Sequence, residues 1–275
     1  MIHVGVEALD QGGRAAHPDL RAAVRRCGLH VEFHSPSMER HLILPDAYIE
    51  LQFYSGACWF EGPDGQARPL PPVFVMGTRS APGCLVARGL TRVAGVSMHR
   101  WRASRLLRLE NLHGICTDVG PELQQLGRRV VRLLEEGGGH EALEHIEAWL
   151  LARMPKEDDT QEAVDAAGLE LHVSRGAARI APLAAELGLS VRQLERRFKD
   201  VAGLSPKALA RLIRFSDAQE RIELDPNMSL AALACELGYA DQAHFNRDFR
   251  SFSGITPGQF AGVMQKARRA EATPG

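Results

Sequence analysis

One stretch near the C-terminus of this 275-residue chain is written twice. Leu183-Ala184-Ala185-Glu186-Leu187-Gly188 is matched by Leu233-Ala234-Cys235-Glu236-Leu237-Gly238. Each block leads to a segment with a central aromatic, Phe198 or Phe249, and then to a similar stop, Gly203-Leu204-Ser205-Pro206 or Gly254-Ile255-Thr256-Pro257. The offset is 50 at the glycines and 51 from the phenylalanines onward, so the second turn region holds one extra residue. An internal repeat implies one supersecondary unit used twice.

The content of each unit is helix, tight turn, helix. Gly188 and Gly238 suit the left-handed position that ends a helix. Ser190-Val191-Arg192-Gln193 fits a capping box for the next helix, and Asp241 can cap the corresponding helix of the second unit. Ser205-Pro206 and Thr256-Pro257 place an N-cap before a proline at the first helical position. The repeat, the caps and the stops agree, which predicts two helix-turn-helix units in tandem.

Placed at 100° per residue, the second helix of each unit is two-faced. Val191, Leu194, Phe198 and Val201 form the apolar arc of the first, with Arg192 and Arg196 opposite and Lys199 at the edge. Phe245, Phe249 and Phe252 form that of the second, with Ala243, Arg247 and Arg250 opposite and His244 and Asn246 flanking. One basic stripe is ordinarily a solvated face; two at matched positions point to a polyanion. The charge distribution agrees. Residues 174–270 carry 15 Lys/Arg and 10 Asp/Glu, a net of +5, and the remainder carries −6. That asymmetry points toward nucleic acid.

The chemistry of a duplex fits these side chains. Arginine can donate two hydrogen bonds to O6 and N7 of guanine, and Asn246 can do the equivalent with adenine. Lys199 and Arg250, toward the helix ends, suit phosphates, which position rather than specify. Ala243 is small enough for close approach to a thymine methyl. Glu195 can accept from a cytosine, or pair with a neighbouring arginine; the ion pair is the expected outcome. Between the units, Pro206–Glu223 reads as one helix with Leu209, Leu212, Ile213 and Ala218 on its buried side. Such a strut spans about 27 Å at ~1.5 Å per residue, near the ~34 Å between successive turns of a duplex.

With these residues in view, 158–267 resembles the DNA-binding domain of AraC/XylS-type bacterial transcriptional regulators. Leu187-Gly188-Leu189-Ser190-x-x-Gln193-Leu194-Glu195-Arg196-Arg197-Phe198-Lys199 is similar to that family's first reader. Ala234-x-x-x-Gly238-Tyr239-x-Asp241-x-x-x-Phe245-x-Arg247-x-Phe249-Arg250-x-x-x-Gly254-x-Thr256-Pro257-x-x-Phe260 is similar to its second. Ala261 stands where family members often carry arginine, which weakens the expectation of a contact there, and Pro182 requires the first scaffold helix to begin near Ala181. The resemblance implies that Arg192, Glu195 and Arg196, with Gln242, Ala243, Asn246 and Arg247, face bases or backbone. Adding the caps and edges, the candidate DNA-binding set is Ser190, Arg192, Gln193, Glu195, Arg196, Lys199, Asp241, Gln242, Ala243, His244, Asn246, Arg247 and Arg250. The resemblance also implies RNA polymerase, a small-molecule effector and a second copy of the chain as partners beside double-stranded promoter DNA.

Upstream, residues 1–117 are rich in Gly and Pro, with candidate strands at His30–His34, His41–Leu44, Ile49–Phe53, Val73–Met76 and Leu85–Ala87. Gly62-Pro63, Asp64-Gly65 and Pro71-Pro72 read as turns. Val96–Leu107 reads either as strand or as a strand followed by a short helix. Leu123, Leu126, Val130, Leu133 and Leu134 recur at helical spacing, as do Leu143, Ile146, Trp149 and Leu150, with Gly137–Gly139 between. Packing of these two helices on the β region is expected over pairing with another subunit. The run His41-Leu42-Ile43-Leu44-Pro45-Asp46, followed by Ile49-Glu50-Leu51, resembles the small β domain that precedes this reader in such regulators, where it senses a signal or mediates dimerisation.

Other chemistries find little support. On a strand His30, Glu32 and His34 share a face, with His41 and Glu50 as additions, but the cupin spacing for metal is absent. Cys27, Cys58, Cys84, Cys116 and Cys235 are odd in number and lack a Cys-x-x-Cys pair, so a disulfide framework, a structural zinc or a zinc-bound alkyl-acceptor thiol is not expected; they read as small, mostly buried residues. No nucleophile elbow or phosphate loop is present. No catalytic residue, metal or cofactor is assigned, and the alternative to a regulator is a metal-dependent sensor or DNA-modifying enzyme tethered by the same reader. No apolar run approaches the ~20 residues of a membrane span, and residues 1–7 lack a secretory signal, so a soluble cytoplasmic protein is expected. The expected fold is α+β: a mostly-β sensor or regulatory domain over 1–117, appended helices over 118–153, a linker over 154–157, an all-α double helix-turn-helix domain over 158–267 and a flexible tail over 268–275.

Overall fold

The computed structural model describes residues 2–4, 17–33, 39–79, 81–109, 112–154 and 159–271. The chain divides into two compact units. The first runs from Met1 to Asp158 apart from Leu44–Ala47 and Ser80–Pro82, which group with Asp159–Gly275 in the second. The class is α+β, with an antiparallel sheet unit and a helical C-terminal unit.

The described strands of the first unit are β1 (Ile2–Val4), β2 (Val24–Phe33), β3 (Glu39–Ile43), β4 (Tyr48–Glu61), β5 (Ala67–Pro69), β6 (Val73–Met76), β7 (Gly83–His99) and β8 (Ile115–Cys116). The sheet order is β1-β3-β7-β4-β6-β8, with β2 also on β7 and β5 on β4. Only β1 and β3 pair in parallel among the named strands. The 17-residue β7 is the hub: it pairs antiparallel with β3 through Gly83–Ala87, with β2 through Leu90–Met98, and with β4 along nearly its whole length. All five expected strand segments lie within or overlap these strands, and most are extended. Val96–Leu107 resolves as the end of β7 followed by helix α1 (Arg100–Leu107). The Asp64-Gly65 turn closes on a Gly65 N–H donating to the Gly62 carbonyl at 3.0 Å.

Strand alternation sorts the two faces. Ile49, Leu51 and Phe53 of β4 are fully buried in a core with Val73, Val75, Val96 and Met98. Helices α2 (Gly120–Glu135) and α3 (Gly139–Leu151) close that core with Leu123, Val130, Leu134, Leu143, Ile146 and Leu150. Each such side chain contributes roughly 1.5–3 kcal/mol when fully buried, which is why the two helices pack on the sheet. The alternate residues Glu50 and Gln52 are buried too, and Gln52 Nε2 donates to Glu50 Oε2 at 3.4 Å. Ile43, Cys58, Phe74, Met76 and Leu85 form a smaller second cluster.

The regular elements described in the second unit are helices: α4 (Asp159–Val173), α5 (Ile180–Glu186), α6 (Val191–Ala202), α7 (Pro206–Leu224), α8 (Leu230–Glu236), α9 (Gln242–Ser253) and α10 (Pro257–Glu271). Pro182 is tolerated because α5 begins at Ile180, which puts the proline in its first turn where no intrahelical N–H is needed. The long α7 is central. It packs against α4, α6, α9 and α10, and Leu209, Leu212, Ile213 and Ala218 are buried on it as expected.

Four expectations need comment. The cysteines are less buried than expected: Cys27 and Cys58 are buried, Cys84 and Cys116 half-buried, and Cys235 exposed. Residues 155–157 of the expected linker and 272–275 of the expected tail lie outside the described residues, whereas 268–271 continue α10. The His30, Glu32 and His34 face lies outside the residues whose side chains are described; among those that are, no group of three or more His, Cys, Asp or Glu is placed to hold a metal. No helix among the described residues is long and apolar enough to cross a membrane.

Candidate nucleic-acid interface

The two helix-turn-helix units are built by the same local bonds. In the first, Gly188 has φ +67°, its N–H donates to the Ala185 carbonyl, and Leu189 N–H donates to the Ala184 carbonyl. In the second, Gly238 has φ +74°, its N–H donates to the Cys235 carbonyl, and Tyr239 N–H donates to the Ala234 carbonyl. This pair of bonds is the Schellman ending, which needs a residue able to adopt positive φ. The additional residue of the second unit lies between this glycine and the next cap, as the change of offset implied.

Capping then fixes where α6 and α9 start. Ser190 Oγ accepts from Gln193 N–H at 3.3 Å, and Ser190 N–H donates to Gln193 Oε1 at 2.8 Å, a complete capping box. Asp241 Oδ1 accepts from His244 N–H at 2.6 Å. The polar groups of Ser190, Gln193 and Asp241 are thus used to start the helices. Both helices end on a left-handed glycine, Gly203 or Gly254. Ser205 and Thr256 then cap α7 and α10, each in front of a proline.

The buried side of α6 consists of Leu194, Phe198 and Ala202; Val201 is half-buried, and Val191, expected in this arc, is 39% exposed. On α9 it is Phe245, Asp248, Phe249 and Ser253, with Phe252 half-buried. Phe249 sits 4.9 Å from Phe215, 5.6 Å from Phe260 and 5.9 Å from Phe245, ring centre to ring centre. Such aromatic pairs add about 0.5–1.5 kcal/mol each beyond area burial. With these faces inward, Arg192, Gln193, Glu195, Arg196 and Lys199 of α6 are exposed, as are Gln242, Ala243, His244, Arg247 and Arg250 of α9. Asn246 is half-buried. Arg196 and Arg247 occupy equivalent positions, as do Lys199 and Arg250.

The unit uses its other arginines differently. Arg211 pairs with Asp248 and Arg221 with Asp217 and Glu236. Arg214 donates to the Gly176 carbonyl, and Arg268 to the carbonyls of Glu223 and Leu224. No described residue forms an ion pair with Arg192, Arg196, Lys199, Arg247 or Arg250. The expected pairing of Glu195 with a neighbouring arginine is likewise absent among the described residues. Ala261 is buried, so the small side chain is part of the packing rather than of the surface.

Sequence reasoning missed the support beneath α9. The Tyr239 hydroxyl donates to Asp248 Oδ2 at 2.9 Å, and Arg211 Nε of α7 donates to Asp248 Oδ1 at 2.8 Å. The Arg214 guanidinium lies 5.3 Å from the Tyr239 ring centre, and burial together with the Asp248 charge pushes the Tyr239 phenol well above its ordinary value. The available signal was Asp248 itself, a charge at i+3 from Phe245 and therefore beside the apolar arc.

Comparisons with known proteins bear on this unit. A family model described as a helix-turn-helix domain matches residues 183–262. The HTH-type transcriptional regulator MtrA of Neisseria gonorrhoeae is 32% identical over 78 residues, 28% of this chain and 26% of that protein. The chain therefore spans about a quarter of the length of the curated relative it matches. Among solved structures, ToxT from Vibrio cholerae is similar with a TM-score of 0.49 and 12% identity, covering 86% of this chain and 98% of that one. A probable AraC family transcriptional regulator from Rhodopseudomonas palustris has a TM-score of 0.34 and 25% identity, covering 38% and 97%. The C-terminal unit of this chain carries a helix-turn-helix domain over residues 183–262.

Proposed function

We propose that the protein is a sequence-specific DNA-binding transcriptional regulator that reads two adjacent major-groove segments with α6 and α9. The observation that carries it is the matched pair of exposed cationic faces, Arg196 and Lys199 on one helix and Arg247 and Arg250 on the other, on helices that each follow the same glycine turn and start on a side-chain cap. Cations left unpaired within the protein are available to release counterions from a phosphate backbone, which dominates affinity for a duplex.

Arg196 and Arg247 are assigned to guanine edges, Asn246 to adenine and Ala243 to a thymine methyl. Arg192, Glu195, Gln242 and His244 line the same exposed faces and contact bases or backbone. Lys199 and Arg250 meet phosphates. Ser190, Gln193 and Asp241 set the start of each reader. The 19-residue α7, about 28 Å long at ~1.5 Å per residue, joins the two readers, a length suited to segments about one duplex turn (~34 Å) apart. The N-terminal unit modulates this binding. Promoter DNA is the principal partner, with RNA polymerase, a small-molecule effector and a second copy of the chain following from the family resemblance. The activity is binding, without a chemical step.

The test is fluorescence anisotropy on a duplex selected by the wild-type protein from random sequence. Arg196→Ala and Arg247→Ala should each cost roughly 1–3 kcal/mol and relax base preference in one half of the site. Unchanged affinity and preference in both variants would refute the assignment.

A further inference from the structure

The first unit holds a groove of about 700 Å³ lined by α2, α3 and the residues that follow α3. Volumes of this order are those of small-molecule sites. Its lining is unusual in charge. Arg128, Arg129 and Arg132 face it from α2, spaced so that all three share one side of the helix, and Arg153 faces it from beyond the end of α3. The lining also includes Glu122 and Glu141, which leaves an excess of two positive charges.

Three of the four arginines are not satisfied from within. Among the described residues Arg128, Arg129 and Arg132 have no ion-pair partner, and all three are exposed. Arg153 pairs with Glu122 and lies 4.0 Å from the Trp149 ring centre, with only 13% of its side chain exposed. Its Nε is buried with no hydrogen-bond partner. Burial first, and then the neighbouring Arg108, holds the Arg153 guanidinium below its ordinary value. An anion arriving here would meet three arginines without an ion-pair partner and would compete with Glu122 for Arg153.

The apolar part of the lining is Leu126, Leu133 and Trp149. Arginine forks recognise phosphate in a bidentate fashion, and flat rings stack on tryptophan and on guanidinium planes. One carboxylate would offset one charge of the cluster; a phosphorylated ligand offsets more. A nucleic-acid backbone running along the groove is opposed by Glu122 and Glu141, which it would meet. A second copy of the chain is the competing occupant that sedimentation separates.

We propose that the groove between α2 and α3 is a binding site for a phosphorylated nucleoside, its phosphates held by Arg129, Arg132 and Arg153 and its base against Leu133 and Trp149. The site stands on the first unit alone and does not depend on the DNA-reading assignment. It would give the N-terminal unit a ligand to sense.

The test is isothermal titration calorimetry of the full chain, without DNA, against ADP, GDP, adenosine, guanosine and pyrophosphate. At least one nucleotide should bind at least ten-fold more tightly than both its nucleoside and pyrophosphate. The double substitution Arg129→Gln/Arg132→Gln should weaken that nucleotide at least ten-fold. Arg88→Gln, at an exposed arginine of β7, should leave it unchanged. Trp149→Leu should weaken the nucleotide by a larger factor than pyrophosphate, because the ring contacts the base directly and the phosphates only through Arg153. Failure of both nucleotides to bind at millimolar concentration would overturn the proposal. So would equal affinity for pyrophosphate, which marks a plain anion patch, or a self-association in sedimentation that the double substitution abolishes while nucleotide binding is absent.

Discussion

Tyr239 donates its hydroxyl proton to Asp248 at 2.9 Å, tying the turn of the second helix-turn-helix unit to the buried side of its reading helix. Arg211, on α7, holds the other carboxylate oxygen of Asp248. Three elements are thereby fixed on one buried charge. Asp248→Ala leaves Tyr239 and Arg211 without their acceptor, and an orphaned buried donor costs about 1–3 kcal/mol. Urea unfolding should show a loss in that range. In a double-mutant cycle with Tyr239→Phe, the two costs should be less than additive; simple additivity would mean that the bond carries no energy.

The same bond predicts an alkaline signature. Burial and the Asp248 charge keep Tyr239 protonated to a higher pH in the folded state than in the unfolded chain. The folded state then binds more protons once the unfolded phenol titrates, so stability falls as pH rises past the ordinary phenol value near 10. Tyr239→Phe should make that fall shallower in thermal melts between pH 8.5 and 11. An identical slope would remove Tyr239 as a contributor.

Gly176 should not tolerate a side chain. Its φ is +77°, and a Cβ there would lie 2.3 Å from the Ala210 carbonyl oxygen of α7. The turn after α4 is held in place by Arg214 donating to the Gly176 carbonyl at 2.8 Å. Gly176→Ala should cost about 2 kcal/mol or more, read by urea unfolding of the full chain.

Lys199 is assigned to a phosphate, so Lys199→Ala should weaken binding to every sequence alike. The slope of log affinity against log salt should fall by about one. A change confined to the preferred sequence would instead make Lys199 a base reader.

Thiol reactivity should follow burial. The Cys58 thiol is pushed up to about 12 by burial, and Cys235 is exposed. The thiolate is the reactive form, so peptide mapping after alkylation at pH 8 should find Cys235 modified first and Cys58 protected until the chain unfolds. Early labelling of Cys58 would contradict the packing of the second sheet cluster.

The helical half was the more legible in sequence because its signals are local. Gly188, Ser190, Gly238 and Asp241 act within a few residues of themselves, and the two copies corroborate one another. The sheet was legible as segments, since Ile49, Leu51 and Phe53 alternate with polar neighbours. Its topology was not, because the pairing of Cys27 with Val96 or of Leu42 with Cys84 joins residues more than forty positions apart and leaves no periodic trace. Asp248 and Arg211 were hidden for the same reason: 37 residues separate them, and each alone resembles a surface charge. The arginine groove escaped because Arg128, Arg129 and Arg132 read as the solvated side of an amphipathic helix until Trp149 and Arg153 are set opposite.

Hydroxyl-radical footprinting on a selected operator tests the central claim most directly. Two readers joined by α7 predict two protected patches whose centres lie about 10 base pairs apart on one face of the duplex. Arg196→Ala should thin one patch and Arg247→Ala the other. A single continuous patch that responds equally to both substitutions, or protection that neither substitution changes, would contradict the account.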